Sequence, residues 1–189
     1  MFTNKLPCKK NKLSLTQKFP YLPVPIIAKT QTFPYSLKMH KILFICHGNI
    51  CRSTMAEFVM KHLVNLNGLE NDFLIDSKAT STEELGNPPH YGTLKKMAQE
   101  GIPVCPHKAT QLQKSDYEKY DLIIGMDKWN KKNIMKIIGS DPAHKVHLLL
   151  DFTGTKGEIA DPWYTHDFDS TYLDISKGCQ ALLDFLQKK

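Results

Sequence analysis

Arginine is almost missing from this chain: of 25 basic residues, 24 are lysine and one is Arg52. Acidic residues are absent from residues 1–45. Any proton donor serving a site in the N-terminal part must therefore come from downstream. Cysteine is sparse and odd in number, with Cys8, Cys46, Cys51, Cys105 and Cys179 at irregular spacing. That argues against a disulfide-stapled secreted fold and for a reducing, cytoplasmic setting. No C-x-x-C pair, H-E-x-x-H or His/Cys cluster at ligand spacing occurs, so neither a metal nor another cofactor is expected. The apolar patch Leu22–Ala28 is too short, and too broken by Pro23 and Pro25, for a secretory core or a transmembrane segment.

The excess of positive charge is local. Residues 1–38 hold seven lysines and no acid, whereas residues 39–189 hold 18 basic and 19 acidic residues. Nucleic-acid binding by the folded part is therefore not expected. Five of the eleven prolines also fall in residues 1–38, a density that excludes helix and central strand. This segment reads as a basic, disordered extension or an upstream start, with Met39 opening the domain and a transit peptide as the alternative. A basic tail would suit an acidic partner or an acidic membrane surface.

Beyond the tail, short apolar runs alternate with amphipathic stretches. Lys41–Cys46, Phe73–Ile75, Leu122–Met126 and Val146–Leu150 read as buried strands. Helices are expected from Ser53 or Thr54 to Leu66, over Tyr91–Gln99, Ser115–Tyr120, Asp127–Ile138 and Thr171–Leu186. Their inward stripes include Leu66, Trp129 and Leu173. The alternation predicts an α/β fold, a four-stranded parallel sheet flanked by helices on both faces.

The octapeptide Cys46-His47-Gly48-Asn49-Ile50-Cys51-Arg52-Ser53 joins the first strand to the first helix. Gly48 and Asn49 accept the positive φ that turns successive N–H groups into one concavity. The helix start adds unpaired N–H groups and its positive dipole end. Such a phosphate-binding loop between the first strand and first helix suits a tetrahedral oxyanion. Arg52 then explains itself, because its planar fork grips two oxygens where a lysine ammonium cannot. Cys46 sits at the focus of this field, which favours the thiolate and makes a nucleophile. Ser53 or Thr54 would donate to the sulfur.

A cysteine phosphatase needs a general acid. Asp161-Pro162-Trp163-Tyr164 follows the fourth strand in a glycine-containing stretch. Pro162 biases Asp161 toward extended backbone, and Trp163 and Tyr164 would wall an aromatic substrate.

With "ILFICHGNICRSTMAE" at 42–57, "DSKATS" at 76–81, "GNPP" at 86–89, "MD" at 126–127 and "DPWY" at 161–164, the chain resembles the low-molecular-weight protein tyrosine phosphatases over essentially all of residues 39–189. The resemblance implies a protein tyrosine phosphatase that hydrolyses phosphotyrosine proteins or small aryl phosphates through a phosphocysteine on Cys46. Arg52 and the amides of His47, Gly48, Asn49, Ile50, Cys51 and Ser53 would bind the phosphoryl group, and Asp161 would act as acid and then base. It further implies a left-handed Asn49 tied through Ser53 and Ser77 to His107, and a reversible Cys46–Cys51 disulfide that shields the nucleophile.

Three residues depart from the family pattern. His47 replaces a small or aliphatic residue, Thr54 replaces proline, and Glu83 stands where relatives often carry an aromatic cleft wall. Rival activities on this scaffold are a protein-arginine phosphatase, an arsenate reductase and a non-catalytic phosphate-binding module. The first usually has threonine at the place of Ile50. The second needs paired relay cysteines that Cys105 and Cys179 do not supply. The third would be expected to lose Cys46, Arg52 or Asp161.

Overall fold

A computed structural model describes residues 39–188; the expectations for residues 1–38 lie outside the described residues. Strand β1 (His40–Cys46) is followed by α1 (Arg52–Leu66), β2 (Phe73–Ala79), α2 (Tyr91–Gln99), α3 (Asp116–Lys119) and β3 (Leu122–Gly125). Helix α4 (Lys128–Ile138), β4 (Val146–Leu148), a 3-10 turn (Leu149–Thr153), α5 (Pro162–Thr165) and α6 (Phe168–Gln187) complete the order. The four strands lie in the order β2-β1-β3-β4, and every pairing is parallel.

Strand β1 reads as an unbroken apolar run because both its faces are covered. Ile42, Phe44 and Cys46 enter one core with α1 and α6. Leu43 and Ile45 enter the other, against Tyr117, Tyr120, Ile134 and Ile138. The two-residue period of the strand thus sorts neighbours into opposite layers.

Strand β2 runs four residues beyond its expected end, to Ala79, because its polar side chains find partners. Tyr120 donates to Asp76 at 2.8 Å, Lys78 Nζ donates to Asp116 at 2.7 Å, and Ser77 joins the polar network described below. Strand β4 is shorter than expected. The chain leaves the sheet after Leu148, whose N–H donates to Asp151 at 3.0 Å, and Leu149 and Leu150 turn into the α6 side of the core.

Three apolar residues expected to face inward do not. Leu66, Trp129 and Leu173 are all well exposed. At 100° per residue, Leu66 points away from buried Val64 and Leu173 away from buried Ile175, and Trp129 lies across the helix from Ile134. Helix α1 also starts differently: Arg52 is already helical, Cys51 is the cap residue without a side-chain bond, and Ser53 and Thr54 are buried in the first turn. Their hydroxyls serve the loop that precedes the helix.

Candidate active site

The chain passes from β1 to β2 on one side, then crosses to β3 on the other side of β1. This reversal opens a crevice at the carboxyl ends of β1 and β3, the position where open parallel sheets bind ligands. Cys46 ends β1 and Asp127 follows β3, so sheet topology alone brings the loop and Asp127 together.

The loop carbonyls are tied outward. Cys46 O accepts from Thr80 N–H at 2.9 Å, His47 O from Ser81 N–H at 3.0 Å, Ile50 O from His90 N–H at 2.8 Å and Cys51 O from Met55 N–H at 2.9 Å. Asn49 O accepts from Thr54 Oγ1 at 2.7 Å. Within a planar trans peptide the N–H points opposite to the C=O. The amides of His47, Gly48, Ile50, Cys51 and Arg52 are therefore turned to the other side, and Asn49 N–H donates to Cys46 Sγ at 3.3 Å. Cys46 Sγ also lies 3.0 Å from Ser53 Oγ.

Asn49 carries the turn, at φ 59°, and its side chain is wholly buried. Its Nδ2 donates to Ser77 Oγ at 2.8 Å and to Ser53 Oγ at 3.0 Å, while Thr110 N–H donates to its Oδ1 at 3.1 Å. The link to His107 runs through a residue that the sequence reading did not single out. Ser77 donates to Glu57 Oε2 at 2.6 Å, the same oxygen lies 3.4 Å from His107 Nδ1, and His107 Nε2 returns to Asn49 O at 3.2 Å. Burial pushes the Glu57 carboxyl up, but His107, Lys61 and Ser77 outweigh it and hold it below its ordinary value.

Arg52 is buried between two carboxylates. Its guanidinium donates to Asp127 Oδ2 at 2.6 Å, to Ile159 O at 3.0 Å and to Asp161 Oδ2 at 2.5 Å. Burial works against its charge, and negative charge at Cys46, Asp161 and Asp127 overcomes this to hold Arg52 above its ordinary value. Its Nε is buried with no protein partner, a donor left for another acceptor. Asp161 is held in place because Ile159 N–H donates to Met126 O at 2.9 Å, stitching this segment to the end of β3.

A cleft of about 100 Å³ opens above the loop, lined by Cys46, His47, Gly48, Ile50 and Cys51 from the loop and by Asp161, Trp163 and Tyr164. Glu83 and Glu84 complete its rim. Trp163 packs edge-on to His90, ring centroids 5.8 Å apart, so the aromatic wall rests on a residue hydrogen-bonded to the loop. Cys46 and Cys51 are both free thiols, and burial, then the charge at Cys46, pushes Cys51 up to about 12. Cys105 and Cys179 do not line the cleft, and Cys179 is wholly buried on the inner face of α6. Among the described residues there is no cluster of three metal-ligating side chains, and no helix is long and apolar enough to cross a membrane.

The structure thus brings Cys46, Arg52, Asp161, Ser53, Ser77 and His107 together with two residues the sequence reading gave no role, Asp127 and Glu57. Asp127 was visible only as half of "MD" and as the start of an expected helix. Glu57 carries a signal that sequence alone offers: it falls one helical turn after Ser53, on the face that follows the loop.

Known proteins resemble this chain in sequence and in fold. The sequence profile described as low molecular weight phosphotyrosine protein phosphatase matches residues 41–189. The low molecular weight protein-tyrosine-phosphatase YfkJ of Bacillus subtilis is 35% identical over 153 residues, covering 80% of this chain and 98% of the relative. Its crystal structure superposes with a TM-score of 0.77, at 36% identity, over 79% of this chain and 96% of that one. The human low molecular weight phosphotyrosine protein phosphatase is 37% identical over 152 residues, 76% of this chain and 93% of the relative. A Drosophila arginine phosphatase structure matches at 29% identity and a TM-score of 0.72, covering 78% of this chain and 98% of that chain. The chain belongs to the low molecular weight phosphotyrosine protein phosphatase family, whose members are cysteine-dependent phosphoric monoester hydrolases.

Proposed function

We propose that residues 39–189 form a catalytic domain that hydrolyses phosphotyrosine in proteins, and small aryl phosphates, through a phosphocysteine on Cys46. The observation that carries this reading is the set of loop amides turned away from the tied carbonyls, of which Asn49 N–H reaches Cys46 Sγ at 3.3 Å, together with the buried Nε of Arg52 that has no protein partner. Those donors match the equatorial oxygens of a transferring phosphoryl group. Cys46 Sγ attacks phosphorus, the bond to the aryl oxygen breaks, and Asp161 gives that oxygen its proton. Water then attacks the phosphocysteine while Asp161 takes a proton, the S–P bond breaks and inorganic phosphate leaves. Ser53, within hydrogen-bond distance of the sulfur, stabilises the departing thiolate.

Trp163 and Tyr164 flank the ring of the substrate. The Asn49–Ser77–Glu57–His107 network holds the loop in its working shape. An oxidant of the peroxide class would take two electrons from Cys46 and Cys51 to join them, and thiols would restore the pair. A cytoplasmic setting keeps both reduced. Residues 1–38 act as a basic appendage for an acidic partner or membrane surface, so their deletion changes location and leaves turnover alone.

Phosphoarginine is the second reading, favoured by the arginine phosphatase among the structural neighbours. The aromatic pair Trp163–Tyr164 and the aliphatic Ile50 in the cleft argue for an aryl ester. The test offers a phosphotyrosine peptide and a phosphoarginine peptide in excess chelator, with Cys46→Ser as control. Cys46-dependent release from phosphotyrosine is expected. Release from phosphoarginine alone would overturn the substrate assignment and keep the mechanism. Release from neither would leave a phosphate-binding module.

A further inference from the structure

The chain has 24 lysines, yet among the described residues none lines the cleft; its mouth carries two adjacent carboxylates, Glu83 and Glu84. The turn that bears them is fixed at both ends. Ser81 N–H donates to His47 O at 3.0 Å and Gly86 N–H to Ala109 O at 2.9 Å. Glu84 lies against the loop where Gly48 has no side chain, its Cγ 3.1 Å from where a Cβ would stand. A larger residue at 48 would push this acid away.

The charges on this rim do not cancel. Glu84 accepts from the neutral amide of Asn87 at 2.7 Å. Glu83 lies 3.0 Å from His47 Nε2, so two of the three departures from the family pattern meet in one contact. A neutral imidazole donates its N–H and leaves both carboxylate charges in place; a protonated one offsets a single charge. The rim is negative in either state. Asp161, the remaining acid of the cleft, is already paired with Arg52. The deep end therefore receives the phosphoryl group, and the mouth presents negative charge to whatever flanks it.

We infer that Glu83 and Glu84 select among phosphotyrosine sites by their neighbours, favouring phosphotyrosine flanked by lysine or arginine and disfavouring acidic flanks. This inference rests on the phosphotyrosine reading of the same site. Opposed like charges at a rim discriminate between partners more than they set overall affinity. Both carboxylates face solvent, so their influence falls with ionic strength.

The test uses two phosphotyrosine peptides that differ only in lysine or glutamate on either side of the phosphotyrosine, with p-nitrophenyl phosphate as a substrate without flanks. The full chain is expected to prefer the lysine peptide in kcat/KM by about tenfold at low salt, a preference that shrinks as salt is raised to about 0.5 M. In the Glu83→Gln/Glu84→Gln variant the preference drops to within about twofold, each peptide rate being referred to the same variant's turnover of p-nitrophenyl phosphate. Equal rates on the two peptides, or a preference that survives in the double variant, would overturn the inference and leave the phosphatase reading intact. No Cys46-dependent release from any of the three would sink both.

Discussion

Asp127 and Asp161 hold Arg52 by the same division of labour. In each, Oδ1 caps the carboxylate's own helix, accepting from Asn130 N–H at 2.6 Å or Trp163 N–H at 3.2 Å, and Oδ2 touches the guanidinium. The direction of the fork is thereby set by two helix starts, α4 and α5, rather than by flexible side chains. Asp127 has the firmer anchor, being the less exposed partner of the two.

Asp127→Asn keeps the cap on α4 and loses the charge beside Arg52. The guanidinium then drifts from its aim, and kcat/KM should fall by about 100-fold, the order expected when a positioning contact shifts a reacting group by an ångström. Steady-state kinetics with the affinity for vanadate, a phosphate-like oxyanion, decide this. Unchanged values for both would show that Asp161 and Ile159 suffice.

Arg52→Lys removes the fork and keeps the charge. Turnover is expected to drop by about 10²–10³-fold, comparable to loss of an oxyanion donor. Near-normal activity would dismiss the argument that a forked ligand explains the one arginine.

Asp161→Asn separates acid catalysis from phosphate binding. Aryl phosphates with poor leaving groups should slow by about 10²–10⁴-fold and those with good leaving groups by much less, since only the former need a proton. A uniform drop across leaving groups would point to a binding role instead.

Asn49 allows a dissection of backbone from side chain. Asn49→Gly tolerates φ 59° and deletes the amide that joins Ser53, Ser77 and Thr110. Asn49→Ala deletes the amide and adds about 1–2 kcal/mol of left-handed strain. Alanine should therefore melt below glycine, and both should lose activity. Equal melting temperatures would show that the turn relaxes without strain.

Glu57 ties the network to pH. Its ordinary value is 4.5 and the fold holds it lower. Its contribution to stability is then fully present above about pH 4.5 and is lost as pH falls through the lower folded value. The gap in Tm between the natural chain and Glu57→Gln should be widest near neutrality and narrow towards pH 3. A gap that is constant with pH would assign Glu57 a packing role only.

How much of this was open to sequence reading follows from the range of each interaction. The loop is contiguous, so its strand, turn, helix start and arginine could be read together. The parallel sheet followed from the alternation of apolar runs and helices. What stayed hidden depends on contacts between distant segments: Arg52 meets Asp127 only because β3 lies beside β1. Glu57 looks, with Lys61 four residues on, like an ordinary surface pair until β2 brings Ser77 over it. Residues 76–79 were not read as strand because the partners that satisfy the polar Asp76, Ser77 and Lys78 come from elsewhere. Trp129 and Leu173 failed for another reason, since apolar character alone does not say on which side of a helix a residue falls.

The buried guanidinium has a spectroscopic consequence. A chain grown on isotope-labelled arginine carries its label at one side chain, Arg52, whose Nε–H is shielded from solvent. One resonance, with no assignment problem, would then report oxyanion occupancy, oxidation of the neighbouring thiol and loss of either carboxylate.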